Sequence, residues 1–190
     1  MHPLFLPPCG EGTGTVGDRL HREEDAIMTS KDRLEGKRIL IVDDEPDVLE
    51  TLEELLSMCE VTKATSFDEA KKLLDYEYFD MAILDIMGVE GFELLEIARE
   101  KDVIAVMLTA HALSPENIVR SYKEGAASYL PKEEMSNIAA FLEEILEDKE
   151  KGKHFWWRWL DRWGAYYDRK FGPDWKDKDK EFWEKYKYYV

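Results

Sequence analysis

Five polar side chains stand out by type and setting: Asp43, Asp44, Asp85, Thr109 and Lys132, each just after an apolar run. Three carboxylates brought together repel. Two unit charges about 4 Å apart cost about 4 kcal/mol at an effective dielectric of roughly 20. A divalent cation relieves that repulsion. Hard oxygen donors, with an octahedral shell completed by water, suit Mg²⁺ or Mn²⁺. A carboxylate can also attack phosphorus and carry the phosphoryl group as an aspartyl phosphate. The charge on the phosphoryl oxygens then needs partners, and a cation, a lysine ammonium and a threonine hydroxyl supply them. The chain offers one of each.

These groups need a scaffold that gathers them, and the pattern between them describes one. Arg38-Ile39-Leu40-Ile41-Val42 is a β-branched run closing on the acidic pair. Met81 to Leu84 closes on Asp85, Val103 to Leu108 on Thr109, and Ala127 to Leu130 leads to Lys132. A short strand is expected at Glu60 to Ala64. Between the runs, apolar residues recur at helical spacing: Val48, Leu49, Leu52, Leu55, Leu56; Phe67, Ala70, Leu73, Leu74; Phe92, Leu94, Leu95, Ile97, Ala98. Ser66 with Glu69 reads as a capping box, and Ser114-Pro115-Glu116 as a cap followed by proline at the first helical position. A fifth helix is expected over Met135 to Leu146. Five strand–helix units predict an α/β fold, a five-stranded doubly wound parallel sheet of the flavodoxin-like kind, with helices on both faces. In such sheets the ligand crevice lies outside the carboxyl ends of the strands, where all five polar groups fall.

Composition narrows the field. The 190 residues carry a formal charge of −16, which argues against nucleic-acid binding. The longest apolar run, Val103 to Leu108, is far short of the ~20 residues that span a bilayer. Cys9 and Cys59 can build neither a disulfide framework nor a four-thiolate zinc site, which points to a reducing cytoplasm. Charge is unevenly spread. Residues 31–150 hold 13 basic and 30 acidic side chains, and residues 151–190 hold 11 and 7 together with all six tryptophans. Three parts are expected: a disordered leader over 1–35, rich in Pro and Gly with Met28 a candidate natural start, an α/β domain over 36–148, and a helical, aromatic-rich extension over 149–190.

The acidic pair in "ILIVDDEPDV", Asp85 in "MAILDIM", Thr109-Ala110 in "VMLTA" and Lys132 in "ASYLPK" resemble the receiver domain of two-component response regulators, the chemotaxis-regulator type of fold. The resemblance implies roles. Asp85 accepts a phosphoryl group from a histidine kinase or phosphotransfer protein. Asp44 and Asp85 bind Mg²⁺, Asp43 acts largely through water, and the backbone carbonyl of Met87 completes the protein ligands. Lys132 pairs with the phosphoryl oxygens. Thr109 moves to bond them, Tyr129 is the aromatic coupled to that movement, and Ala110 keeps the entrance small. The implied protein is a signalling module rather than an enzyme.

Two departures from the family pattern stand beside the match. The loop Asp85-Ile86-Met87-Gly88-Val89-Glu90-Gly91 is short, and Glu133 follows Lys132 where many receivers have proline. His111, two residues past Thr109, reads as a solvated loop residue beside the entrance. Two other functions are weighed: an interaction module on the same fold that works without phosphorylation, and a metal-dependent phosphatase with an aspartate nucleophile. The latter wants an aspartic acid two residues after the nucleophile, and Met87 there cannot transfer a proton.

The extension has its own pattern. Phe155, Trp156, Trp159, Leu160, Trp163, Tyr166 and Tyr167 fall on one helical face, Gly172-Pro173 breaks it, and Phe182, Trp183, Tyr186 and Tyr189 form a second short stripe. It is too short for a winged-helix unit, so signalling through protein contacts rather than DNA binding is expected. Its surplus of positive charge against an acidic domain favours packing on a receiver, its own or a second copy's. A separate output partner is the next reading, and Asp161 and Asp168 count against a membrane surface.

Overall fold

Why each strand ends where it does follows from the sheet. The computed structural model describes residues 33–110, 114–153, 156 and 159–186, with 159–161 and 186 by backbone alone. The expected leader up to residue 32, Met28 and His111 lie outside the described residues, as do Phe155 and Tyr189. Strands β1 (Arg38–Val42), β2 (Glu60–Ala64), β3 (Met81–Asp85), β4 (Ile104–Thr109) and β5 (Ser128–Pro131) form one parallel sheet in the order β2-β1-β3-β4-β5. The three central strands are buried almost throughout, because helices cover both faces. Edge strand β2 is only partly buried, in line with its mixed Glu-Val-Thr-Lys-Ala sequence.

Helices α1 (Pro46–Leu55), α2 (Phe67–Tyr76), α3 (Gly91–Glu100), α4 (Pro115–Lys123) and α5 (Ile138–Glu150) make the crossovers. The side chain of Ser66 accepts from the Glu69 N–H, while the Glu69 carboxylate reaches back to the Thr65 N–H at 2.9 Å. Ser114 caps α4 by accepting from the Asn117 N–H at 3.1 Å, with Pro115 in the first turn. The fifth helix starts later than the apolar spacing suggests: a 3₁₀ segment, Lys132–Asn137, intervenes. It turns the chain away from the sheet directly after β5, so Lys132 stays at the sheet edge. Among the described residues no helix is long and apolar enough to cross a membrane.

Arg33–Val190 forms one compact unit, so the aromatic extension packs on the α/β domain of its own chain. Gly152 (φ +64°) ends α5, and helix α6 (Trp159–Phe171) follows. Gly172 (φ +88°) ends α6, as the Gly-Pro break predicts, and a 3₁₀ segment (Trp175–Asp179) leads into α7 (Lys180–Tyr186). Trp156, Trp163, Tyr167, Trp175 and Trp183 are all buried. Ring-to-ring contacts at 4.8–6.0 Å run in a continuous arc: Trp156 and Phe182 both meet Tyr122 of α4, Phe182 meets Trp183, then Trp175, Tyr167, Tyr166 and Trp163 follow in turn. The arc ends where Trp163 stacks on Phe141 of α5, at 5.3 Å and 13°. The indole N–H of Trp156 donates to the Ala126 carbonyl, and that of Trp175 to Asp168 at 2.8 Å. Each such ring buries about 150–250 Å². At roughly 25 cal/mol per Å² this outweighs the surface pairs Lys123–Asp179, Lys178–Glu116 and Arg162–Glu144, worth about 0–1 kcal/mol apiece.

Candidate functional site

Strand register assembles the site. Val42 lies beside Leu84, so Asp43 and Asp85 leave adjacent strands at the same level. Asp85 lies beside Leu108, which puts Thr109 one step further along β4, and Thr109 lies beside Pro131, the residue before Lys132. Parallel strands whose apolar runs end in step therefore deliver an acid, an alcohol and an ammonium to one edge.

Carboxylate oxygens of Asp43, Asp44 and Asp85 lie within 4.8 Å of one another. Asp43 and Asp85 are buried and Asp44 is exposed, so the cluster opens to solvent on one side only. The backbone holds two of these carboxylates in place: the Glu45 N–H donates to Asp43 at 3.0 Å and the Met87 N–H to Asp85 at 2.9 Å. The Lys132 ammonium reaches Asp43 Oδ2 at 2.7 Å, Glu45 Oε1 at 2.8 Å and Asp85 Oδ1 at 3.2 Å. One cation thus stands among three carboxylates.

Burial pushes the Asp85 carboxyl up to about 6; the Lys132 charge pulls it down and the Asp43 charge pushes it further up. Asp43 is raised by burial as well, against its hydrogen bonds to Lys132 and the Glu45 backbone. Burial would lower Lys132, but hydrogen bonds to Asp43 and Glu45 and the charge of Asp85 hold it above its ordinary range. The site is therefore short of positive charge, and hard oxygen donors this close suit a small divalent cation.

The short loop after β3 makes room for one. Gly88 has φ +78°, and a Cβ there would stand 2.5 Å from the Asp44 carboxylate. A Cβ at Gly91 would lie 2.0 Å from the Asp85 carbonyl oxygen, and Glu90 between them takes φ 54°. Two glycines and one left-handed residue are what the shortened loop requires to turn at once into α3. The acidic cluster and this cradle fit Mg²⁺ or Mn²⁺ held by Asp43, Asp44 and Asp85. The Met87 side chain is exposed, while its N–H is turned onto Asp85.

Thr109 and Tyr129 are fully buried, and Ala110, next to Thr109 in sequence, is half-buried. Burial raises the Tyr129 hydroxyl, which takes a backbone hydrogen bond from Ser114 at the cap of α4. Tyr167 of the extension is raised by burial and by the nearness of Tyr129. The aromatic that the resemblance couples to the site therefore lies under the extension. Glu45 and Trp175 are the participants that the sequence reading passes over.

A family model for the response regulator receiver domain matches residues 39–143, and the chain belongs to that family. Among curated proteins it is similar to the two-component response regulators ARR18 and ARR12 of Arabidopsis thaliana. It is 38% identical to ARR18 over 113 residues (54% of this chain, 18% of that protein) and 34% identical to ARR12 over 131 residues (63% and 22%). It thus spans about a fifth of the length of these relatives. Among solved structures it resembles a CheY-like receiver domain protein from Methanospirillum hungatei JF-1 (29% identity, TM-score 0.53, 61% of this chain and 98% of that one). It also resembles a response regulator protein from Burkholderia pseudomallei with a phosphorylated aspartic acid, a calcium ion and citrate (26%, 0.51, 61% and 72%).

Proposed function

We propose that the chain is a phosphoacceptor response regulator, phosphorylated on Asp85, that signals through protein contacts. The observation that carries this reading is the Lys132 ammonium set among Asp43, Glu45 and Asp85, beside an acidic cluster wide enough for a divalent cation. Asp43, Asp44 and Asp85 would hold Mg²⁺, with the Met87 carbonyl as a further ligand. When bound, the cation supplies charge that offsets the transferring phosphoryl oxygens.

An Asp85 oxygen attacks phosphorus of a phosphohistidine on a histidine kinase or phosphotransfer protein. The P–N bond breaks and its electron pair leaves on the imidazole. The Met87 N–H fixes the other Asp85 oxygen and so orients the carboxylate. Lys132 donates to the phosphoryl oxygens, and the Thr109 hydroxyl turns toward them. Tyr129 transmits that turn to α4 and to the extension above it. The relative from Burkholderia pseudomallei, with its phosphorylated aspartic acid, supports the same chemistry here. Incubation with Mg²⁺ and acetyl phosphate tests the reading. One acid- and base-labile phosphoryl group per chain, absent in Asp85→Asn, is the expected result; turnover of phosphomonoesters or no uptake overturns it.

A further inference from the structure

The Lys132 ammonium has three N–H donors, and three carboxylates lie within reach of them. A phosphoryl group on Asp85 carries about −1.5 to −2 charges in place of the carboxylate's single one, and brings new acceptor oxygens to the same ammonium. The donor now on Asp85 passes to a phosphoryl oxygen, and a second bond from the ammonium to that group must be taken from Asp43 or Glu45. Asp43 is 1% exposed and would be left buried without its cation, whereas Glu45 is 56% exposed at its side chain and can turn to water. The backbone of Glu45 is pinned by its N–H bond to Asp43, so the carboxylate starts from a fixed place at the mouth of the site. It stands one bridging ammonium away from Asp85.

Resting on the phosphoacceptor reading above, we propose that Glu45 is a positioning residue that sets the rate of phosphoryl uptake. It occupies a Lys132 donor in the unmodified protein and presents a negative charge to an incoming anionic phosphodonor. In the uptake step from acetyl phosphate, an Asp85 oxygen bonds phosphorus, the P–O bond to the acetyl group breaks, and acetate leaves with the electron pair. Lys132 must turn from Glu45 to the transferring oxygens during that step. Glu45 therefore slows it twice, by holding the ammonium and by repelling the donor.

The test uses the full chain with saturating Mg²⁺. Glu45→Gln keeps the size and removes the charge; Glu45→Ala, with a thermal melt and circular dichroism for both, guards against a folding artefact. Uptake from acetyl phosphate should quicken about three- to fivefold in Glu45→Gln, the reach of one partly exposed charge pair. Beryllofluoride should bind that variant more tightly by a similar factor. The wild-type rate should rise with added salt, and this slope should flatten in the variant, which a purely structural role for Glu45 would not produce. Wild-type uptake left unchanged or slowed by Glu45→Gln, with the same salt slope, overturns this inference alone. A wild-type chain that takes up no phosphoryl group overturns the phosphoacceptor reading and this inference together.

Discussion

Trp156 donates its indole N–H to the carbonyl of Ala126, two residues before the strand that presents Tyr129 and leads to Lys132. The start of the aromatic extension is thereby tied to the same short stretch of chain that supplies the site's ammonium. A movement at the site and a movement of the extension would share that piece of backbone.

Asp85→Asn should abolish phosphorylation and keep the fold. In metal-free buffer it should also stabilise the protein, with a sign that depends on pH. A buried carboxyl raised to about 6 keeps its proton in the folded state after the unfolded chain has lost it. The Asp85 contribution to wild-type stability therefore falls as pH rises from about 4 to about 6, and the asparagine variant escapes that fall. Urea melts in EDTA should show little difference near pH 4 and an advantage of about 1–3 kcal/mol for the variant at pH 7. A variant less stable than wild type at pH 7 contradicts the charge account.

Mg²⁺ should stabilise the wild-type chain by mass action, by about 2.7 kcal/mol at a hundred times its dissociation constant, and so raise its melting temperature. Asp44→Ala removes the exposed member of the cluster and should shrink that shift. Equal shifts in the two proteins would place the cation elsewhere.

Gly88→Ala tests the cradle. The added methyl meets the Asp44 carboxylate and the backbone must hold φ +78°, so a loss of about 1 kcal/mol is expected from strain alone. Titration with Mg²⁺ should also show weaker binding. A variant with full affinity would mean that Asp44 does not face the ion.

Trp163→Ala removes the ring stacked on Phe141 and should cost about 3–5 kcal/mol in denaturant unfolding. All six tryptophans lie in the extension, so wild-type emission should be blue-shifted. Beryllofluoride with Mg²⁺ should change that emission, and in Asp85→Asn it should not. A solvent-like maximum in the untreated protein argues against the packing, and a blue-shifted one indifferent to beryllofluoride argues against coupling.

Much of this was legible because it is local. Apolar runs ending in Asp85, Thr109 and Lys132 announce strand ends, and a parallel sheet has only one edge on which to bring strand ends together. Ser114-Pro115 announces its helix for the same reason. Glu45 was not legible: a glutamate before a helical proline reads as a complement to the helix dipole, and its pairing with Lys132 joins residues 87 positions apart. Trp175 sits in a 3₁₀ segment too short to show a period. Helical spacing marked Trp163 as buried, but whether its partner lay in the same chain depended on how α4 and α5 face the extension, which no periodicity records.

The arc of rings from Tyr122 to Phe141 has its two ends on different helices of the receiver, so neither end is a free edge from which the extension could peel. Opening it at Trp163 uncovers Phe141, and opening it at Phe182 uncovers Tyr122. Partial detachment exposes apolar rings on both sides without freeing much of the chain's entropy. The extension and the α4–α5 face should therefore open together in native-state hydrogen exchange, as a single foldon with one protection factor, and fraying should be confined to the last turn of α7.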